Sequence, residues 1–458
     1  MPLSSAVFLI VCSSLPAEFF SVDAGGLTWT LDRLWFLVLM AQCVVLWYRG
    51  ERTSLKIETT DLILGAFVLW LAARTLTQPF GAVVKYQPHT LLHFINGYLV
   101  PVAVLVVLRL MPLKTEHLKP AVGLLAVFGL YLSFTAVCEI TKQWQFVFPK
   151  FIADGTIGIH FGRARGPMLQ SVRLGVCLLL ILMIWPVATI WLKPRSKTLW
   201  IATAVIMPAL LLALFLTYTR SIWMGAALIM GVLILGCLEG ITRRAAICSI
   251  AGAAVLGVAI KGPDLVAFKR EYSAAETRES TYMRAAFAYV SWKMFQDKPV
   301  AGFGFNQFQV YNRPYLADRS TDIRLESIRG YVHHNSFLSL LVDLGLVGFV
   351  LYMTVLVAFA RRAWSIWRHR DGPQWSRGVG LITLGVLGVH LIQMAFHEVS
   401  FSTIENVILY AMFGLTATCY RQFVAQPAAV PASSTVQLTS SETPRPEPSG
   451  SLALAGQS

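Results

Sequence analysis

The sequence predicts an all-α integral membrane protein with about 12 transmembrane helices, and three observations carry that expectation. Hydrophobic residues make up 56% of the chain and charged residues only 14%, against roughly 25% charged in an ordinary soluble domain. Apolar runs long enough to cross a bilayer recur from end to end. The Lys and Arg residues behind the net charge of +14 sit in short turns between those runs. Membrane orientation is written in this way, so nucleic acid is not expected as a partner.

Taken in order, the expected spans are 3–20, 32–48, 61–77, 91–109, 120–139, 174–192, 199–218, 222–240, 246–260, 336–360, 378–397 and 402–420. Residues 1–420 then form one polytopic membrane domain. The first run lacks the basic start and small-residue cleavage site of a signal peptide, so it reads as a retained span. The turns 49–56, 109–119, 193–197, 241–244 and 361–377 are rich in Lys and Arg, which assigns them and both termini to the cytoplasmic side. From 421 to 458 the chain is rich in Pro, Ser, Thr and Ala without apolar periodicity, the composition of a disordered tail. All seven cysteines lie in or beside apolar segments and none forms a CxxC pair, so neither a disulfide framework nor a zinc site is expected.

The opposite face carries the informative polar segments: 18–31, 78–90, 140–173, a short turn at Arg220 and a long loop over 261–335. His334 stands where that loop enters a span, a position at which an imidazole is either an interfacial cap or a working group lining a wet cavity. Arg220, between two closely spaced spans, either anchors at the interface beside Trp223 or pairs with an anion whose oxygens match its planar fork. Arg284, Ala288, Ser291 and Trp292 share one helical face by spacing. That face either points a cation at the membrane mouth or is simply solvated. Gly302 and Gly304 shape a tight loop, since a lone GxG is weak evidence for phosphate. Arg163 and Arg165 precede the Gly166-Pro167 turn, where they suit a phosphate or an acidic sugar as well as they suit a plain surface turn. Asp343 is nine residues beyond His334 and so on the other side of its helix, where it should pair with a polar group of another helix. Gly345 and Gly348 are small enough to let helices approach.

The run His334-Asn335, followed by Gly345 and Gly348, resembles the signature of the O-antigen ligase and polymerase superfamily. The upstream segment from Arg284 through Trp292 to Gly302 and Gly304 is similar to that family's Arg, Trp and Pro-x-x-Gly-x-Gly pattern, and Thr219-Arg220-Ser221 matches its arginine at the outer end of a span. The segment from Arg163 resembles the family's RxxG turn loosely, because Leu169-Gln170-Ser171 replaces its usual Asn-Pro-Asn. The likeness covers roughly residues 150–420. It implies a GT-C-like membrane glycosyltransferase with a long helical periplasmic loop in the bacterial inner membrane. Such an enzyme moves a glycan from a polyprenyl (undecaprenyl) diphosphate to a hydroxyl of a saccharide or a protein, outside the cytoplasm.

On that resemblance His334 is the catalytic residue, and Arg220, Arg284, Arg165 and Asn335 bind the diphosphate or substrate. Trp292, Gly302, Gly304, Gly345 and Gly348 shape the scaffold. Departure of a diphosphate develops negative charge, which preorganised cations stabilise best where water is scarce. The outward loops contain no DxD, so no metal and no cofactor are expected, and an inverting displacement follows from the resemblance. A neutral His334 would accept the acceptor's proton or orient the diphosphate as a donor, and the sequence leaves both roles open. A polymerase or a protein O-oligosaccharyltransferase would use the same chemistry. A lipid-linked glycan transporter is the competing class, against which stands the lack of any repeat between the halves.

Overall fold

The computed structural model describes residues 2–16, 19–24, 27–51, 56–84, 87, 89–192, 196–249, 251–252 and 274–425. Among them ten helices are long and apolar enough to cross a membrane, in agreement with the all-α membrane class. The helices are α1 (Pro2–Ser13), α2 (Leu31–Tyr48), α3 (Thr59–Leu76), α4 (Thr90–Leu110), α5 (Thr115–Ile140) and α6 (Ser171–Leu192). They continue with α7 (Lys197–Leu216), α8 (Arg220–Cys237), α9 (Ala274–Asp297), α10 (Ser336–Arg368), α11 (Gln374–Phe396) and α12 (Thr403–Cys419). A small antiparallel hairpin, β1 (Ser21–Ala24) and β2 (Leu27–Thr30), occupies the first polar stretch.

Two expected spans need correction or exclusion. The run 3–20 yields only the 12 residues of α1, about 18 Å at 1.5 Å per residue, which is too short for a hydrocarbon core of roughly 30 Å. Its apolar side is instead buried against α2, α5 and α12. Most of the run 246–260, and the first part of the loop at 261–273, lie outside the described residues.

α12 is the centre of the bundle: every residue from Ile404 to Cys419 is buried. It packs along α4 and α11, and α11 in turn packs on α6, α8 and α10. α2 stands at the rim with only Leu39 buried. At one end of the bundle the acids that open α3 gather arginines from three other segments: Asp61 pairs with Arg109, and Glu58 pairs with Arg362 and Arg421. At the other end the polar segments tie to one another. Gln87 Nε2 donates to Asn306 O at 2.8 Å, Ala164 N to Leu216 O at 3.0 Å, and Asn335 Nδ2 to Ala395 O at 3.0 Å.

The decisive local feature is a break inside α10. Gly345 has φ +67° and ψ −171°, a backbone region open essentially only to glycine. The break strips helical partners from neighbouring carbonyls and amides, and each must be satisfied elsewhere because they are buried. The loop Pro299–Gly304 does this. Phe303 N and Gly304 N donate to Val342 O and Asp343 O at 2.8 and 2.9 Å, while Leu346 N and Val347 N donate to Pro299 O and Val300 O at 2.8 and 3.3 Å. Trp70 Nε1, from α3, takes Leu344 O at 3.0 Å. Gly345 is therefore not the helix-packing glycine expected from the sequence; its missing side chain admits the loop, since a Cβ there would lie 2.3 Å from Val300 O. Gly302 and Gly304, also left-handed, complete the clasp from the loop side. Gly348 does allow a close approach, with a Cβ position 3.1 Å from Trp70.

Gly345→Ala is therefore expected to lower the stability of the detergent-solubilised protein by at least about 1–3 kcal/mol. Gly231→Ala, in mid-α8 with open space around it, should be neutral or slightly stabilising. Thermal unfolding of the two variants checks this, and equal melting temperatures would show that the break is not structurally required.

Candidate functional site

Five segments converge where the clasp holds α9 and α10 together. Asn335 caps α10: its side-chain Oδ1 accepts from Leu338 N at 3.0 Å while its Nδ2 reaches the C-terminal end of α11. Each end of the amide thus makes one bond within the protein, and Asn335 is the cap that fixes His334 at the mouth of α10. His334 itself is exposed to solvent at its rim but flanked by Phe287 of α9, with ring centroids 5.0 Å apart.

His334 Nδ1 lies 3.1 Å from His333 O. A carbonyl only accepts, so Nδ1 carries the proton, and in the neutral ring Nε2 is then a bare acceptor. Burial and the nearby Arg284 guanidinium hold His334 below the ordinary imidazole range, against the pull of that carbonyl. Neutrality and a free lone pair are what a proton acceptor needs.

A second histidine, which the sequence reading did not single out, stands beside it. His397 ends α11, and its Nε2 is 2.8 Å from Ser221 Oγ at the start of α8. Burial, with His334, Arg284 and His160 nearby, pushes its pKa down to about 3. Its carbonyl accepts from Ser336 Oγ at 3.0 Å, and the same hydroxyl approaches Glu398 Oε1 at 3.2 Å. Glu398 is raised by burial and held back by hydrogen bonds from Ser400, Ser339 and Ser336. A sequence signal existed: His397-Glu398 are two titratable residues in the short turn between two spans, a costly placement unless used.

The arginines reach this place from different elements. The turn 217–219, in which Tyr218 has φ 46°, delivers Arg220 as the first residue of α8, next to the Ser221 that meets His397. Arg284 projects from the exposed face of α9 to within 5.8 Å of the Phe396 ring and acts electrostatically on both His334 and His397. His334 and Arg284 are thus grouped at one end of the bundle, to which His397 and Ser221 join the start of the helix that carries Arg220.

Arg165 is placed otherwise. It is 1% exposed, and its guanidinium donates to Ile157 O, Ile152 O and Asp154 O at 2.6, 2.9 and 2.5 Å over the Phe161 ring at 4.7 Å. Its donors are taken up by its own loop, so it is corrected from diphosphate ligand to the staple of the segment that carries His160. Trp292 is 52% exposed and packs on Phe295. The buried face of α9 runs through Phe287, Val290, Ser291 and Met294, so Arg284, Ala288 and Trp292 share the exposed face as expected while Ser291 departs to the inner side. Asp343 meets the backbone amide of Asn306 at 2.8 Å, in a loop and not in another helix as expected.

Residues 206–353 match the family model described as O-antigen ligase. The match bears out the family resemblance over a stretch that includes Arg220, Arg284 and His334, and supports a membrane-bound, glycan-transferring function of the ligase or polymerase kind. It stops short of His397. No curated protein matches the chain.

The histidines make acid stability a readout of this geometry. His397 takes up a proton near pH 3 when folded but near 6.5 when exposed. As pH falls from 6.5 toward 3 the unfolded chain gains a proton that the folded one refuses, so stability is lost across that window. Thermal unfolding between pH 7 and 4 should show the decline, with a shallower slope in His397→Gln. A slope unchanged by that substitution would mean that His397 is not held neutral by the fold.

Proposed function

We propose that the protein transfers a glycan from a polyprenyl diphosphate to an acceptor hydroxyl at the pocket bounded by His334, Arg284, Arg220 and His397. One observation carries the reading: a histidine held neutral with a bare Nε2 stands beside the Arg284 guanidinium, next to the His397 that meets the start of the Arg220 helix. An imidazole poised to take a proton and guanidinium groups suited to phosphate oxygens are the two halves of a displacement at an anomeric carbon.

Arg220 strengthens this assignment. Arg220 is the first residue of an 18-residue helix, where its charge and the positive end of the helix dipole both favour an anion such as the diphosphate. Arg220 and Arg284 bind its oxygens and offset the charge that grows on them as the glycosidic C–O bond breaks. The acceptor oxygen attacks the anomeric carbon from the opposite face and inverts it. Its proton passes to His334 Nε2, an imidazole that burial, helped by Arg284, favours in its neutral form beforehand. His397, held by Ser221, lines the same pocket and ties the Arg220 turn to the loop after α11. This reading assigns the charge stabilisation to guanidinium groups, with no metal taking part. The arrangement of basic turns supports a pocket on the periplasmic side of the bacterial inner membrane, with the end of α12 facing the cytoplasm. Acceptors of this chemistry are a saccharide hydroxyl or a protein side-chain hydroxyl.

The test is glycan transfer by the purified protein in detergent, where no second compartment exists and transport alone gives no product. His334→Ala should cost about 100- to 10,000-fold in rate while the melting temperature is kept; wild-type transfer by that variant would defeat the reading. Arg284→Lys keeps the charge but loses the fork, and a loss of at least about tenfold is expected. An undiminished rate would reduce Arg284 to a surface charge. Chelation with EDTA should leave the rate unchanged, and a loss restored by Mg²⁺ or Mn²⁺ would contradict the metal-free assignment.

A further inference from the structure

The two helices that carry Arg220 and follow His334 both begin against the end of α11, and the same few residues hold both starts. Ser221, the second residue of α8 and 3% exposed, is held twice: its hydroxyl lies 2.8 Å from His397 Nε2, and its carbonyl accepts from Gln393 Nε2 at 3.3 Å. Ser336, the first residue of α10 and 1% exposed, donates from Oγ to His397 O at 3.0 Å and accepts from Val399 N at 2.8 Å. Asn335 Nδ2 adds its bond to Ala395 O at 3.0 Å. His397 therefore grips the start of α8 with its side chain and the start of α10 with its backbone. Arg220 is the neighbour of Ser221, and His334 stands two residues before Ser336.

The bridge is itself seated. Beneath the turn that follows His397, α4 carries a π-helical stretch, Ile95–Leu99, a local widening often found beside functional sites. Asn406 Nδ2 donates to Gly97 O of that stretch at 2.8 Å and to Ser400 O of the turn at 3.2 Å. A Cβ on Gly97 would lie 3.0 Å from Ser400 O, so the bare backbone lets the turn sit close. The start of α8 has less support of its own. Its N-cap residue, Thr219, makes no side-chain cap bond and turns its hydroxyl back to Thr217 O at 2.9 Å, so the first turn takes its anchors from the bridge.

We propose that His397 and Ser221 are positioning residues: the hydrogen bond between them sets where the Arg220 end of α8 stands relative to the His334 end of α10. A displacement is sensitive to that spacing, since a misplacement of about 1 Å can cost about 100-fold in rate. His397 takes up a proton only near pH 3, so the ring stays neutral and the bond keeps one form wherever His334 works as a base. The inference rests on the reading of His334 as proton acceptor and Arg220 as phosphate ligand.

The test is a double-mutant cycle in the detergent transfer assay. Ser221→Ala and His397→Leu should each lower kcat/KM for the donor by about 10- to 100-fold. The double variant should be no slower than the worse single one, because both remove the same bond. His397→Gln, whose amide can reach the same hydroxyl, should regain most of the rate lost in His397→Leu, a comparison that carries the test if either apolar variant folds poorly. The acid limb of the pH–rate profile, set by His334, should keep its midpoint in His397→Gln. Wild-type kcat/KM in either apolar variant, losses that multiply in the double, or no recovery in His397→Gln overturns the proposal. A vanished acid limb in His397→Gln overturns it too, because His397 would then be the proton acceptor. If His334→Ala transfers at the wild-type rate while a map of Ser221→Ala in lipid nanodiscs shows the start of α8 displaced, the functional reading fails and the tie stands. If His334→Ala is inactive while Ser221→Ala transfers at full rate, the tie fails and the reading stands.

Discussion

The backbone clasp between Pro299–Gly304 and the break in α10 is the constraint on which the site depends. A span interrupted inside a membrane protein exposes amides and carbonyls that lipid cannot satisfy. Here each exposed group near Gly345 finds a partner in the incoming loop or in Trp70 of α3. The exchange works in both directions: the loop repairs the helix, and the helix gives a fixed seat to a loop that would otherwise have no regular structure. Because α9 ends two residues before Pro299, the seat also sets where α9 lies, and with it the position of Arg284 relative to His334.

On that frame the electrostatics are economical. Burial alone would make His334 and His397 poor bases by keeping them neutral at almost any pH, while a carboxylate close by would make them cations. What surrounds them is positive: Arg284 acts on both, and His160 acts on His397. The nearest acid, Glu398, is turned into a ring of serine donors that satisfy it away from the imidazoles. The rings are thus held neutral beside a guanidinium, a combination suited to an anionic ligand.

Much of this was legible from residue order. Spanning segments follow from apolar run length, and ten of the expected spans reappear among the described residues as long apolar helices. His334, Arg220 and Arg284 could be singled out because charged or titratable groups at span ends are expensive. What could not be read were the facts that depend on partners distant in sequence. Arg165 looks as available as Arg220 in one dimension, and only three carbonyls folded round it show that it is committed. Asn335 sits in the motif as a ligand would, and its roles as a cap and a tie to Ala395 show only in the folded chain. Gly345 had the right identity for the wrong reason, since a glycine that packs against a helix and one that breaks a helix are spelled alike. The first run is interrupted by Pro16 and Glu18, a breaker and a charge consistent with its helix stopping at Ser13.

The place of His397 has a consequence for engineering. Arg220, Arg284 and His334 lie within residues 206–353, whereas His397 and its neighbour Glu398 are supplied by the turn between the last two helices. Ser221 and Ser336 tie that turn to the earlier segment. A transplant that stopped at residue 353 would carry the positive charges and leave behind the wall that faces them.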